Sequence, residues 1–388
     1  MELMIEDLME QLVQGSGSDL HLASGQPPYG RFNGQLRPLS ETPLSEESCN
    51  RLIFSMLNNS QRKTLEQTWE LDCAYGLKGV ARFRVNVYRQ KGSYAACLRA
   101  LGNTIPSIAS LELPPVVVDT CARPRGLVLV TGPTGSGKTT TLYTILDLLN
   151  TPEVNISTIE DPIEYQMPRI NQTQVKAQIG FTFANGLRSL MRQDPDIIMV
   201  GEIRDEETAS LAINAALTGH LVLATVHTNS AAGTVARLVD MGVEPFLLVS
   251  TLRVAIGQRL VRRLCDTKET YTLSASEKND VGSHADLDFV LKTLQEEGIV
   301  DTNNWGDVQF ARPKEGAECE DGYQGRMGIH EVLPISPAIK EIILNSGTAD
   351  EIEAQARKEG MLKMVEDGIY KAARGMTSIE EVLRVINE

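Results

Sequence analysis

The run Gly132-Pro-Thr-Gly-Ser-Gly-Lys-Thr139 constrains this chain more than any other stretch. It satisfies G-x-x-x-x-G-K-[ST] at every fixed position, and its surroundings suit that pattern. The apolar, β-rich Gly126-Leu-Val-Leu-Val-Thr131 leads in, and a helix-forming run from Thr139 to Leu149 leads out. Glycines at 132, 135 and 137 permit positive φ, so that successive N–H groups of the loop and of the following helix converge on one point and bind a polyphosphate. Gly132, Pro133, Thr134, Gly135, Ser136, Gly137, Lys138, Thr139 and Thr140 form the expected nucleotide-binding set. Lys138 adds a point charge for the β- and γ-phosphates, and the Thr139 hydroxyl is placed to ligate Mg²⁺. A Gly/Ser-rich surface turn would lack the strand and helix at these offsets.

At 388 residues the chain exceeds one ordinary core and divides into two or three domains. Its net charge of −14 argues against a general nucleic-acid binder, because neutralising phosphates takes an excess of Lys and Arg. No window reaches the ~18 uninterrupted apolar residues of a membrane span. The first residues, Met-Glu-Leu-Met-Ile-Glu-Asp, are acidic where a signal peptide is basic, and a cytoplasmic protein is expected. Cys49, Cys73, Cys97, Cys121, Cys265 and Cys319 have no close spacing, which predicts reduced thiols rather than a disulfide framework.

In chain order, residues 1–14 read as a short helix and Asp19-Leu-His-Leu22 as a strand. Asn33-Gly34 signals a hairpin, and a helix from about Ser45 to Leu57 follows, capped by Ser45. Residues 80–89 alternate strictly, Ala81, Phe83, Val85 and Val87 against Arg82, Arg84, Asn86 and Tyr88, and Tyr94 to Leu98 forms the returning strand. Residues 1–105 make a small α+β domain of PAS-like type, 106–119 a Pro-bearing linker, and 120–388 the nucleotide domain. There, strands at 127–131, 155–159, 196–200 and 221–225 alternate with helices, notably 183–193 and 206–217, the signature of an α/β fold with a mostly parallel sheet. Residues 247–264 read as a further helix. Residues 266–318 read as a polar insertion around one short helix at 285–297, and the ending is helical at 349–359, 361–373 and 377–386.

Three clusters fall at the ends of predicted strands, where open α/β sheets place ligands. Thr158-Ile-Glu-Asp-Pro-Ile-Glu164 brings carboxylates close to a triphosphate site, an arrangement that repels unless a metal or water is held. Asp196-Ile-Ile-Met-Val-Gly-Glu202 has the Walker B layout, with Gly201 where an Asp is usual, leaving Glu202 to organise Mg²⁺ or its water. His220 and His227 flank the third strand and are candidates to report phosphate state. Positive charge opposite the departing γ-phosphate is expected from Arg188 and Arg192, one helical turn apart, and from Arg84 and Arg99 of the N-terminal domain.

These four motifs in this order, over almost the whole chain, resemble the secretion ATPases of type IV pilus and type II secretion systems. The resemblance implies a RecA-like core and a hexameric ring motor. In it Glu164 is the general base, Glu202 the Walker B glutamate, and Arg84 and Arg99 are fingers into the nucleotide site. ATP hydrolysis then moves an inner-membrane platform protein that adds or removes pilins. The runs His227-Thr-Asn-Ser-Ala, Gly242-Val-Glu-Pro-Phe246 and Gln258-Arg-Leu-Val-Arg-Arg-Leu-Cys265 are similar to assembly motors, while the short N-terminus is as in retraction motors. Assembly motors often carry two Cys-x-x-Cys pairs; here Cys265 and Cys319 stand alone, two thiolates do not complete a tetrahedral site, and zinc is not expected. The alternatives are a retraction motor of the same family, a DNA-translocating RecA-like ATPase, which the acidic balance disfavours, and a scaffold that binds nucleotide without turnover.

Overall fold

The structure is a computed structural model that describes residues 3–15, 17–32, 35–101, 105–314 and 319–387. The chain forms two compact units, Met1–Ile105 and Pro106–Glu388.

In the first unit, β1 (Asp19–Leu22), β2 (Tyr29–Phe32), β3 (Gln35–Pro38), β4 (Glu70–Leu77), β5 (Ala81–Gln90) and β6 (Ser93–Leu101) form an antiparallel sheet in the order β3-β2-β1-β6-β5-β4. Strict alternation in β5 buries Phe83, Val85 and Val87 against Leu8 and Leu12 of the helix Ile5–Gln14 and Leu52 and Ile53 of the helix Glu46–Ser55. Ser45 caps the latter by accepting the Ser48 N–H at 3.1 Å. The Asn33–Gly34 turn lies outside the described residues; the strands on either side of it pair antiparallel.

The second unit contains β7 (Gly126–Thr131), β8 (Ile156–Glu160), β9 (Ile170–Gln174), β10 (Ile197–Val200), β11 (Leu221–Val226), β12 (Leu252–Leu264), β13 (Lys268–Thr272), β14 (Gln309–Pro313) and β15 (Tyr323–Pro334). Its main sheet runs β15-β12-β7-β11-β10-β8-β9, with β15 antiparallel to β12 and the other neighbours parallel. β7, β8, β10 and β11 are buried throughout, the state of parallel strands covered by helices on both faces.

Two expectations fail here. Residues 247–264 are not one helix: Pro245–Thr251 is helical and Leu252–Leu264 is β12. The apolar run Val254-Ala-Ile256 suits a buried helix or a buried strand equally, and pairing with β7 on one side and β15 on the other decides for the strand. The same pairing corrects the cysteine reading. β12 and β15 are neighbours, so Cys265 at the end of one and Cys319 before the other come to a Cα separation of 6.5 Å and are disulfide-bonded; Cys49, Cys73, Cys97 and Cys121 are free. The segment between is richer than the sequence suggests. β13 pairs with β14, and the helices Ala275–His284 and Leu287–Glu296 enclose a core around Trp305 and Phe310. Among the described residues, no helix is long and apolar enough to cross a membrane.

The last helix, Ile379–Asn387, is fastened to β12 by one buried carboxylate. Glu381 accepts from the Arg262 guanidinium at 2.8 and 3.0 Å, from the Arg262 N–H at 2.9 Å and from Arg384 at 2.8 and 2.9 Å. Burial alone would raise the Glu381 pKa, but these hydrogen bonds from Arg384 and Arg262 outweigh it and hold the carboxyl at about 2. A depressed pKa stabilises the fold above the unfolded value and loses that contribution as pH falls through the folded one. Glu381→Gln therefore lowers stability at neutral pH. Its deficit relative to the parent shrinks between pH 5 and 2 in thermal melts, and a deficit independent of pH would contradict the assignment.

Candidate functional site

The turn from β7 into the helix Lys138–Leu149 has positive φ at Gly132 (149°), Gly135 (82°) and Gly137 (85°). A Cβ at Gly132 would lie 2.3 Å from the Gln258 carbonyl oxygen and 2.6 Å from Ser136 Oγ, so glycine is the residue that fits. Lys138 is buried in this turn and donates from Nζ to the carbonyls of Gly132 and Pro133, both at 2.9 Å. Burial lowers its pKa, and the charge of Glu202 opposes that shift. Ser136 Oγ is buried without a hydrogen-bond partner. An orphaned hydroxyl and a cradle that any side chain would fill fit a bound polyphosphate.

Glu202 follows β10 and is only 9% exposed. Its Oε2 lies 2.5 Å from Arg204 Nε and 3.4 Å from His227 Nε2. The loop on which it sits is held to the neighbouring strand by Thr225, whose Oγ1 donates to the Gly201 carbonyl at 2.6 Å and whose carbonyl accepts the Ile203 N–H at 2.8 Å. Gly201, where an aspartate is usual, has a packing reason: a Cβ there would be 3.3 Å from both the Ile159 carbonyl and the Phe183 ring. Lys138, Glu202 and His227 thus gather at the carboxyl edge of the sheet.

The remaining candidates are spread more widely. Glu164 lies half-buried in the loop between β8 and β9, while Glu160, at the end of β8, is buried within the sheet. His220 is at the opposite edge, before β11. Its Nδ1 meets the Ala215 carbonyl at 2.8 Å, and the six residues of β11 separate it from His227 by roughly 20 Å. The helix expected at 183–193 ends at Leu190; Arg188, on its exposed face, pairs with Glu207, and Arg192 lies in the turn beyond. The two therefore do not share one regular helix. In the first unit, strand register sets Arg84 directly opposite Arg99. Each has an acidic partner that the sequence did not suggest, Asp72 at 3.1 Å and Asp19 at 3.0 Å, because neighbouring strands β4 and β1 supply them.

Two site residues were not singled out from sequence. Arg204 stands two residues after Glu202, and its proximity is legible once Glu202 is chosen. Gln258 falls in the stretch 247–264, where the sequence pattern suggests a helix. On β12 it is 2% exposed, donates to the Ser136 carbonyl at 2.8 Å and accepts from Thr141 Oγ1 at 2.7 Å, locking the phosphate loop to the sheet and to its helix. Gln258 stands between the apolar Val254-Ala-Ile256 and the basic Arg259-Leu-Val-Arg-Arg263, and nothing local marks it as buried.

A mostly parallel sheet with a glycine cradle, a buried lysine and a strand-end glutamate at its carboxyl edge defines a P-loop nucleotide-binding core of RecA-like type. The model of the type II/IV secretion system protein family matches residues 3–384, and the chain belongs to that family. It is 51% identical over 267 residues to a type II secretion system protein E of Xanthomonas campestris, a match covering 69% of this chain and 44% of that one. With a type IV pilus assembly ATPase PilB of Pseudomonas aeruginosa the identity is 37%, over 99% of this chain and 67% of the relative. The chain thus spans less than half the length of the Xanthomonas relative. The crystal structure of the pilus retraction motor PilT with bound ADP superposes with a TM-score of 0.76 at 31% identity, covering 99% of this chain and 97% of that one.

Replacing Gln258 with Leu strands the Ser136 carbonyl and the Thr141 hydroxyl in a buried setting. The expected result is a roughly tenfold weaker ATP affinity with unchanged circular dichroism. An unaltered affinity would show that the loop holds its shape without this amide.

Proposed function

We propose that this chain is the motor subunit of a type IV pilus assembly or type II secretion machine. It hydrolyses MgATP in a hexameric ring at the cytoplasmic face of the inner membrane and moves a membrane platform protein that extends the pilus or pseudopilus. The observation that carries this reading is the convergence of Lys138, Glu202 and His227 on one sheet edge beside the glycine cradle.

In this reading the loop and helix amides from Gly132 to Thr140 bind the phosphates, and Lys138 exchanges its carbonyl partners for phosphate oxygens. Thr139 and Glu202 are the residues that hold Mg²⁺, which when bound neutralises charge on the β- and γ-phosphates. Glu164 accepts the proton of the attacking water. Arg84 and Arg99 act as fingers that stabilise the departing γ-phosphate, giving up Asp72 and Asp19 to do so, and His227 reports through Glu202 whether that phosphate is present. Nothing in this scheme calls on zinc. The acidic balance of −14 speaks against a DNA translocator.

A retraction motor is the second reading, favoured by the likeness to PilT over nearly the full length of both chains. The assembly reading draws on the motifs between His227 and Cys265 and on the relatives named for assembly and secretion.

Lys138→Ala is expected to lose nucleotide binding. Glu164→Gln is expected to bind ATP at parental affinity and to hydrolyse it about 100- to 1,000-fold more slowly, measured by phosphate release. Parental turnover in the latter variant removes Glu164 as the base. Deletion of the gene separates the two motors: loss of surface pili or of secretion supports assembly, and excess pili that fail to retract support retraction.

A further inference from the structure

The acidic box supplies three carboxylates, and their surroundings differ in kind. Asp161 is exposed and Glu164 half-buried, whereas Glu160 is 2% exposed and its carboxylate is enclosed by donors. Thr158 Oγ1 donates to Glu160 Oε1 at 2.5 Å and Gln172 Nε2 donates to the same oxygen at 3.1 Å. The other oxygen, Oε2, accepts the hydroxyl of Tyr143. A carboxylate so occupied has no room to activate water.

Tyr143 belongs to the helix that begins at Lys138 and is fully buried. Its hydroxyl donates to Glu160 and accepts, on its other side, the backbone N–H of Glu164 at 3.1 Å and that of Tyr165 at 3.4 Å. Its ring meets that of Tyr165 edge-on, with centroids 5.1 Å apart. Gln172 on β9 completes the frame, donating to the Tyr165 carbonyl at 2.7 Å and accepting the Met167 N–H at 2.8 Å. One phenolic oxygen therefore joins three elements: the phosphate-loop helix, the end of β8, and the backbone at Glu164.

We infer that Tyr143, anchored by Glu160, is a positioning residue for hydrolysis: its buried hydroxyl fixes the backbone at Glu164 relative to the phosphate-loop helix, and so sets where the Glu164 carboxylate meets the attacking water. The inference rests on the assignment of Glu164 as general base. A polarised, buried hydroxyl with a carboxylate on one side and two amides on the other is a rigid link, because breaking either side leaves a buried polar group unpaired. Proton abstraction depends steeply on placement, and a base displaced by about 1 Å loses on the order of 100-fold in rate. The phosphate loop and the base-bearing loop thus move as one piece, through a contact made by neither bound nucleotide nor metal.

The test is Tyr143→Phe, which keeps the ring and its contact with Tyr165 and removes only the oxygen. In the full-length protein the expected result is a kcat lowered about 10- to 100-fold with KM for ATP within about twofold of the parent. The same substitution placed in Glu164→Gln is expected to lower the residual rate by no more than about twofold, since Tyr143 acts through the missing base. Parental kcat in Tyr143→Phe overturns the inference, and so does a double variant that is slower than Glu164→Gln by the full single-variant factor, which is the signature of a general structural defect. Glu164→Gln hydrolysing at the parental rate would remove the base assignment and the inference with it, an outcome distinguishable because it appears without touching Tyr143. Should Tyr143→Phe not fold, Gln172→Ala supplies the second arm, since it removes the same frame from a partly exposed strand. It too should lower kcat and spare KM, and a parental kcat there counts against the frame.

Discussion

The second unit depends on the close approach of two backbones at Gly132. There the chain leaves β7 and turns through a conformation open to glycine, so close to β12 that a Cβ would lie 2.3 Å from the Gln258 carbonyl oxygen. β12 must lie directly beside β7 for this to happen, and that contact also lets Gln258 reach Ser136 and Thr141. The phosphate cradle is therefore shaped as much by the neighbouring strand as by its own glycines.

Charged groups around this cradle are already engaged with partners inside the chain. Lys138 is held by two carbonyls and sensed by Glu202, which is itself shared between Arg204 and His227. Such a site stores its cations and anions as pairs until a stronger partner arrives, and a polyphosphate is that partner. Arg84 and Arg99 in the first unit follow the same pattern, each beside a carboxylate in the free chain.

The carboxyl edge also sets similar side chains in different surroundings. Glu160 and Glu164 lie in one seven-residue motif, yet one is saturated with hydrogen bonds inside the sheet and the other stands in a partly open loop. The same division holds for the two histidines, His227 beside Glu202 and His220 at the far edge bonded to a helix carbonyl. Residues that look equivalent in a motif thus meet different surroundings, through burial for the two glutamates and through opposite ends of β11 for the two histidines.

From the sequence alone came the phosphate loop, the order of the parallel strands' motifs, the α+β start and the family, because each rests on local signals: glycine spacing, strict alternation in β5, strand-then-acid at β10. Interactions between distant segments were not written locally. The short apolar run Val254-Ala-Ile256 has no periodicity that separates strand from helix, Cys265 and Cys319 carry no sign of their 6.5 Å approach, and neither Gln258 nor Tyr143 has a pattern that marks its partner. Tertiary structure decided these because strand pairing and burial, which stabilise β12 between β7 and β15, are properties of neighbours brought together only by folding.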